Sequence, residues 1–198
     1  MLNFRVIPWL AASVVIAGCG AAATNSGVAP HSAGTPSPSA ASTTAKATAN
    51  AQANFSCSAQ SGGDAAASAQ LTDVRVAHHQ GYDRLTFEFA TASIPAYSLT
   101  PSASTNFFHD ASGQPVTLAG TAGLKLVVHH ASGTDLTGAQ TYKGSLDLHP
   151  ALPAIRETAE LGDFERVLTW GVGLATPACF HVSEESGPPR IVIDIQAL

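Results

Sequence analysis

The chain is poor in charge. Asp, Glu, Lys and Arg make up 12% of its 198 residues, about half the usual globular share of roughly 25%. The deficit is uneven: between Gly20 and Gly63 the only charged residue is Lys46. Positive charge is the scarcer sign, with Lys+Arg 9 against Asp+Glu 14 and a formal net charge of -5. No Lys/Arg cluster occurs, so the chain lacks the electrostatic footprint that a phosphate backbone or an anionic lipid surface demands. That excludes a nucleic-acid partner. Also missing are a G-x-S-x-G nucleophile elbow, an H-E-x-x-H zinc helix and a Gly-rich phosphate loop, so the hydrolase and nucleotide-binding classes those signatures mark have no support. The length allows one ordinary domain with tails.

What is present begins with an export signal. The segment from Met1 to Ala17 has one early positive charge, Arg5, and then the apolar run Val14-Val15-Ile16-Ala17. That run is too short for a bilayer core of about 30 Å, which needs about 20 apolar residues, but it suits a signal peptide. Ile16-Ala17-Gly18-Cys19 resembles the bacterial lipobox. The resemblance implies cleavage before Cys19, diacylglycerol on its thiol and acylation of the new amine. The alternative is an ordinary secretory signal with an unrelated cysteine. The expectation is therefore a lipoprotein signal peptide over 1–18 and a lipidated Cys19 at the extracytoplasmic face of the cell membrane.

Of the three cysteines, Cys19 is then committed to lipid, which leaves Cys57 and Cys179 with a single possible pairing. Export puts them in an oxidising compartment, where a disulfide is the expected state. In the chain-entropy picture a loop of that length is worth at most about 5 kcal/mol. A catalytic role for either cysteine lacks any local signature.

From Cys19 to Asn54 the chain is mostly Ala, Ser, Thr, Gly and Pro, with Val28 as its one large apolar residue. It cannot bury a core, and a disordered linker is expected over 19–54. The folded domain is expected over 55–198. Period-two alternation dominates there, as in Leu85-Thr86-Phe87-Glu88-Phe89, Leu124-Lys125-Leu126-Val127-Val128-His129 and Ile191-Val192-Ile193-Asp194-Ile195. Val74-Arg75-Val76, Tyr97-Ser98-Leu99 and Val167-Leu168-Thr169-Trp170 are further strand candidates, and Gln80-Gly81, Ser112-Gly113-Gln114-Pro115, Ser132-Gly133 and Gly187-Pro188-Pro189 punctuate them. No amphipathic helix of useful length is visible. This pattern predicts an all-β fold, a single β-sandwich or open barrel.

Two strands echo one another. Asp83-Arg84-Leu85-Thr86-Phe87-Glu88-Phe89 and Pro189-Arg190-Ile191-Val192-Ile193-Asp194-Ile195 both run Arg, apolar, variable, apolar, acid, apolar. Arg and acid four apart share the face opposite the apolar side chains. Antiparallel pairing in matching register would set Arg84 opposite Asp194 and Arg190 opposite Glu88. Such pairs are worth about 0.2–1 kcal/mol each and serve register more than stability.

Taken in order, Leu71-Thr72-Asp73-Val74-Arg75-Val76, the Gly81 to Phe89 stretch, Gly162-Asp163-Phe164-Glu165-Arg166-Val167-Leu168-Thr169-Trp170-Gly171-Val172-Gly173-Leu174 and the Gly187 to Ile195 stretch resemble the AMIN-like domain of actinobacterial exported lipoproteins. The resemblance covers about Leu71 to Ile195. It implies a β-sandwich related to the AMIN domain, a non-catalytic module found beside cell-wall amidases and secretins, whose relatives localise partners by binding peptidoglycan.

Three constellations are candidates for chemistry. His78-His79 and His129-His130 lie at strand ends, and a metal shared by His79, His130 and His149 or Asp135 would require those ends to meet. No ligand spacing supports it, and neither a metal nor any cofactor is expected. Glu157, Glu160, Asp163 and Glu165 are close in sequence, but a glycosidase pair is set by the fold, and a solvated strand edge is the plainer reading. For sugar binding, Tyr82, Tyr97, Tyr142 and Trp170 are the aromatic candidates, with Arg84 and Arg190 available for carboxylates. Trp170 reads as core and Tyr82 as the most exposed. The expected docking patch is Tyr82, Arg84, Glu88, Arg190 and Asp194. The expectation is a non-catalytic, lipid-anchored envelope module that binds peptidoglycan or positions an envelope protein. The alternative is a carrier enclosing an apolar ligand within the sandwich.

Overall fold

The computed structural model describes residues 54–197. The expected signal peptide, Cys19 and the expected linker up to residue 53 lie outside the described residues. Thirteen strands follow in order: β1 (Gln60–Gly62), β2 (Ala69–His79), β3 (Tyr82–Phe89), β4 (Tyr97–Ser102), β5 (Asn106–Phe108), β6 (Pro115–Thr117), β7 (Ala122–His129), β8 (Ala131–Ser132), β9 (Asp147–Leu148), β10 (Ile155–Phe164), β11 (Val167–Leu174), β12 (Phe180–Glu185) and β13 (Arg190–Gln196). Among the described residues there is no helix, as the sequence pattern predicts.

The strands form a six-stranded sheet, ordered β1-β4-β7-β11-β10-β9, and a five-stranded sheet, ordered β12-β13-β3-β2-β8; β5 and β6 make a separate ribbon. Period-two alternation decides the core. Leu85, Phe87 and Phe89 of β3 and Ile191, Ile193 and Ile195 of β13 face Leu124, Leu126 and Val128 of β7 and Leu168, Trp170 and Val172 of β11, and all belong to one buried cluster. Trp170 is fully buried, edge-on to Phe87 at 5.6 Å and to Tyr142 at 6.0 Å between centroids.

Two features tie the sheets together. Asp83, at 0% exposure, accepts the backbone N–H groups of Ala154 (2.6 Å) and Ile155 (3.0 Å) and pairs with His78 Nδ1 at 2.7 Å, which fixes the start of β10 against β3. Losing the carboxylate would orphan two buried donors, at about 1–3 kcal/mol each. Cys57 and Cys179 are joined as a disulfide. Beside it, Ser56 and Phe180 exchange backbone hydrogen bonds of 2.8 and 2.9 Å. The Gln60 amide donates to Phe180 O and accepts from Val182 N. These contacts partly cover the outer edge of β12, which would otherwise be an unpaired template for other strands.

The outer face of the six-stranded sheet is roofed. Phe107, Leu118, Ala159 and Leu161 form a second small core there, with Val116 packed against it. The roof comes close because the strands beneath lack side chains at the crossing. A Cβ on Gly173 would lie 2.1 Å from Ala119 O, one on Gly171 2.9 Å from Leu118 Cδ1, and one on Gly123 2.8 Å from Phe107 Cζ. Only glycine leaves room for backbone to approach backbone in this way.

A polar grid on the open face of the five-stranded sheet

Register sets out the outward residues of β2, β3, β13 and β12 as rows. Asp73, Glu88, Arg190 and Glu185 form one row; Arg75, Thr86, Val192 and Ser183 the next; Ala77, Arg84, Asp194 and His181 a third. His79, Tyr82 and Gln196 close the end. The echo between β3 and β13 therefore pairs as the sequence predicts, with Arg84 opposite Asp194 and Arg190 opposite Glu88.

The side chains depart from that register at one row. Arg84 holds Asp194 through Nε (2.7 Å) and Nη2 (2.9 Å), a two-point fork that raises the guanidinium pKa above its ordinary value. Glu88 turns instead to Arg75, on the opposite neighbour, at 2.9 Å, and Arg190 turns to Glu185 at 2.6 Å. Arg75 also binds Asp73; the hydrogen bonds it donates to Glu88 and Asp73 raise its pKa. Sequence reasoning missed Arg75 because only two strands share the echo. It is recoverable from position: Arg75 is two residues from Asp73, on the same outward face.

Arg75, Arg84 and Arg190, with Val76, Ala77, Thr86, Glu185 and Val192, line a groove of about 330 Å³. Thr86 and Val192 are buried at its floor under the arginine stems. Asp194 is only 5% exposed, so it positions Arg84 and does not itself present to solvent. At the end of the grid His79 stacks on Tyr82 at 4.8 Å and 10°, and the Arg84 guanidinium lies 5.5 Å from the Tyr82 ring centroid. Three guanidiniums and four carboxylates share the face. It offers fixed donors and acceptors with little net charge, next to a half-buried aromatic stack.

Several candidates fall elsewhere. Tyr97 and Tyr142 are each 6% exposed and cannot serve a sugar-binding surface. Burial, helped by Glu184, pushes the Tyr97 phenol up to about 12, and Tyr142 donates to Ser145 O. His79 and His130 lie toward opposite ends of β2, since Ala69 N bonds His130 O. Ten residues of strand separate those ends by roughly 33 Å. They cannot share a metal. Nor are the acids of β10 a uniformly solvated edge. Glu157 is 8% exposed, and Asp163 accepts from Ser132 Oγ and Gly133 N at 2.9 and 2.7 Å. Two bulges interrupt the alternation of β10, and Glu157 is covered on the outer face by the roof, where Ala119 N meets its carboxylate.

The family model described as AMIN-like domain matches residues 69–197. No curated protein and no solved structure matches the chain.

Proposed function

Since the chain belongs to the AMIN-like domain family, a group of generally non-catalytic, extracytoplasmic envelope domains, we propose that it is a lipid-anchored envelope module. Cys19 carries the anchor, and the outward grid of β2, β3, β13 and β12 docks peptidoglycan or positions an envelope protein. One observation carries this reading: the grid is a wide polar face with a groove, whereas the corresponding face of the other sheet is roofed. Peptidoglycan is rich in hydroxyl, amide and carboxylate groups, and a fixed array of guanidinium forks and carboxylates matches all three. Tyr82 and His79 add a flat apolar surface of the kind that sugar rings stack on. The carrier alternative needs space between the sheets, where Trp170, Phe87, Phe89 and Phe180 are each under 2% exposed.

Sedimentation of the full chain with purified peptidoglycan tests the docking face. Arg75→Ala with Arg190→Ala should abolish co-sedimentation while leaving the melting temperature nearly unchanged. Undiminished binding by that folded variant would make the grid purely architectural. In cells, Cys19→Ser should move the protein out of the membrane fraction and stop fatty-acid labelling. If both persist, the anchor is not at Cys19.

A further inference from the structure

Three carboxylates of the described domain are buried: Asp83, Asp194 and Glu157. Two have their charge answered. Asp194 holds the Arg84 fork, and Asp83 holds His78 at 2.7 Å with two backbone donors. Glu157 differs. At 8% exposure its carboxylate accepts, among the described residues, one hydrogen bond, from Ala119 N at 2.6 Å, and no Lys or Arg of the described residues pairs with it. A carboxylate taken out of water needs a cation or ample hydrogen bonding, and one amide falls short of that.

The residues beside it are metal ligands by type. Asp147 and His149 flank Leu148, so they share the face opposite its core-packed side chain. The pairing of Leu148 with Thr158 and of Asp147 with Ala159 brings that face alongside Glu157. His149 Nε2 is 3.1 Å from Asp147 Oδ2, and His149 Nδ1 is 3.8 Å from Glu157 Oε2. One ligand atom from each of the three residues lies within 4.8 Å of the others. In a tetrahedral zinc site with bonds of about 2.0–2.2 Å, ligand atoms stand roughly 3.3–3.6 Å apart. His149 is 62% exposed, so its ring is free to bring one nitrogen to the shared position.

We propose that Asp147, His149 and Glu157 form a binding site for a divalent transition-metal ion of the zinc type. The site is separate from the docking face and does not depend on it. One imidazole and two carboxylates make a mixed nitrogen and oxygen set that suits such an ion better than calcium, which takes six to eight oxygens. The roof that covers the outer face of the six-stranded sheet also builds this site. Ala119 crosses over Gly173 and its N–H orients the Glu157 carboxylate, the outer-shell bond that metal-binding carboxylates ordinarily have. Three protein ligands leave a position open to solvent on the exposed His149 side.

Calorimetry on the full chain, freed of metal by chelation, tests the proposal with Zn²⁺, Ca²⁺ and Mg²⁺ in parallel. A single-site isotherm is expected for Zn²⁺, with much weaker binding of the other two. Glu157→Gln and His149→Ala should each weaken Zn²⁺ about tenfold or more, whereas His181→Ala, on the other sheet, should leave it unchanged. Glu157→Gln keeps an acceptor for Ala119 N, so without metal it should melt at or above the temperature of the unsubstituted protein. Co²⁺ added in place of Zn²⁺ should give the visible absorption of a low-coordinate site, lost in His149→Ala. The site is refuted if Zn²⁺ does not bind, if its binding survives both substitutions, or if Ca²⁺ binds more tightly.

Discussion

The two sheets have the same kind of inner face and opposite outer faces. On the five-stranded sheet, outward positions carry Arg75, Arg84, Arg190, Glu88 and Glu185, whose stems cover Thr86 and Val192 while their charged ends stay near water. On the six-stranded sheet, outward positions at the crossing are Gly123, Gly171 and Gly173, and a second layer lies directly on the backbone. Side-chain size at a few outward positions separates a surface that can receive a partner from one already occupied by its own chain. Long charged side chains keep a layer off. Glycine admits one.

That contrast can be broken by experiment, most severely on the roofed side. Phe107→Ala should cost about 3–5 kcal/mol, because it empties the small core under the roof. A denaturation midpoint that hardly moves would mean the roof is not packed as described. Gly173→Ala should cost about 1–3 kcal/mol through collision with Ala119 O. It should also weaken any metal binding at Glu157, whose orienting amide belongs to Ala119.

On the open side, position within the grid should matter. Arg84→Ala strands the buried Asp194 carboxylate and should cost about 1–3 kcal/mol. Arg75→Ala breaks pairs near the surface and should cost about 0–1 kcal/mol. Equal losses in a chemical melt would show that the grid is one coupled network.

The smallest effect concerns Glu160 on β10, whose pKa is raised by burial and then by Asp163, with His109 opposing. A carboxyl raised on folding adds stability that is full below its unfolded pKa and lost as pH rises through the folded one. Glu160→Gln should therefore be more stable than the unsubstituted protein near neutrality, and the gap should close as pH falls below the ordinary carboxylate range. Parallel melting curves across pH would reveal a gap that fails to close.

Much of the open face was legible in advance. The repeated Arg-to-acid spacing predicted the β3–β13 register, because strand period and face are local properties of the chain. The ion pairs were less legible. Register put Glu88 opposite Arg190, but long side chains reach either neighbour, and Glu88 chose Arg75 while Arg190 chose Glu185. β10 shows in the sequence only as an acidic strand edge and not as a core strand, because two bulges interrupt its alternation. The turn after it gave no signal either. Glu165 and Arg166 adopt φ of 49° and 61°, values that usually call for Gly or Asn. Arg166 is held there by Ser68, Ala69 and His130, all distant in sequence.

By itself, then, the sequence determined the all-β class, the inward set of apolar residues and the pairing of the two echo strands, since each follows from alternation within a few residues. It also limited the domain's cysteines to one partner each. Only the tertiary structure decided which outer face stays open, which carboxylates are buried and that Asp147, His149 and Glu157 converge. The roofed face and the burial of Glu157 depend on where Leu118 and Ala119 cross β11, a contact between segments some fifty residues apart that no local pattern encodes.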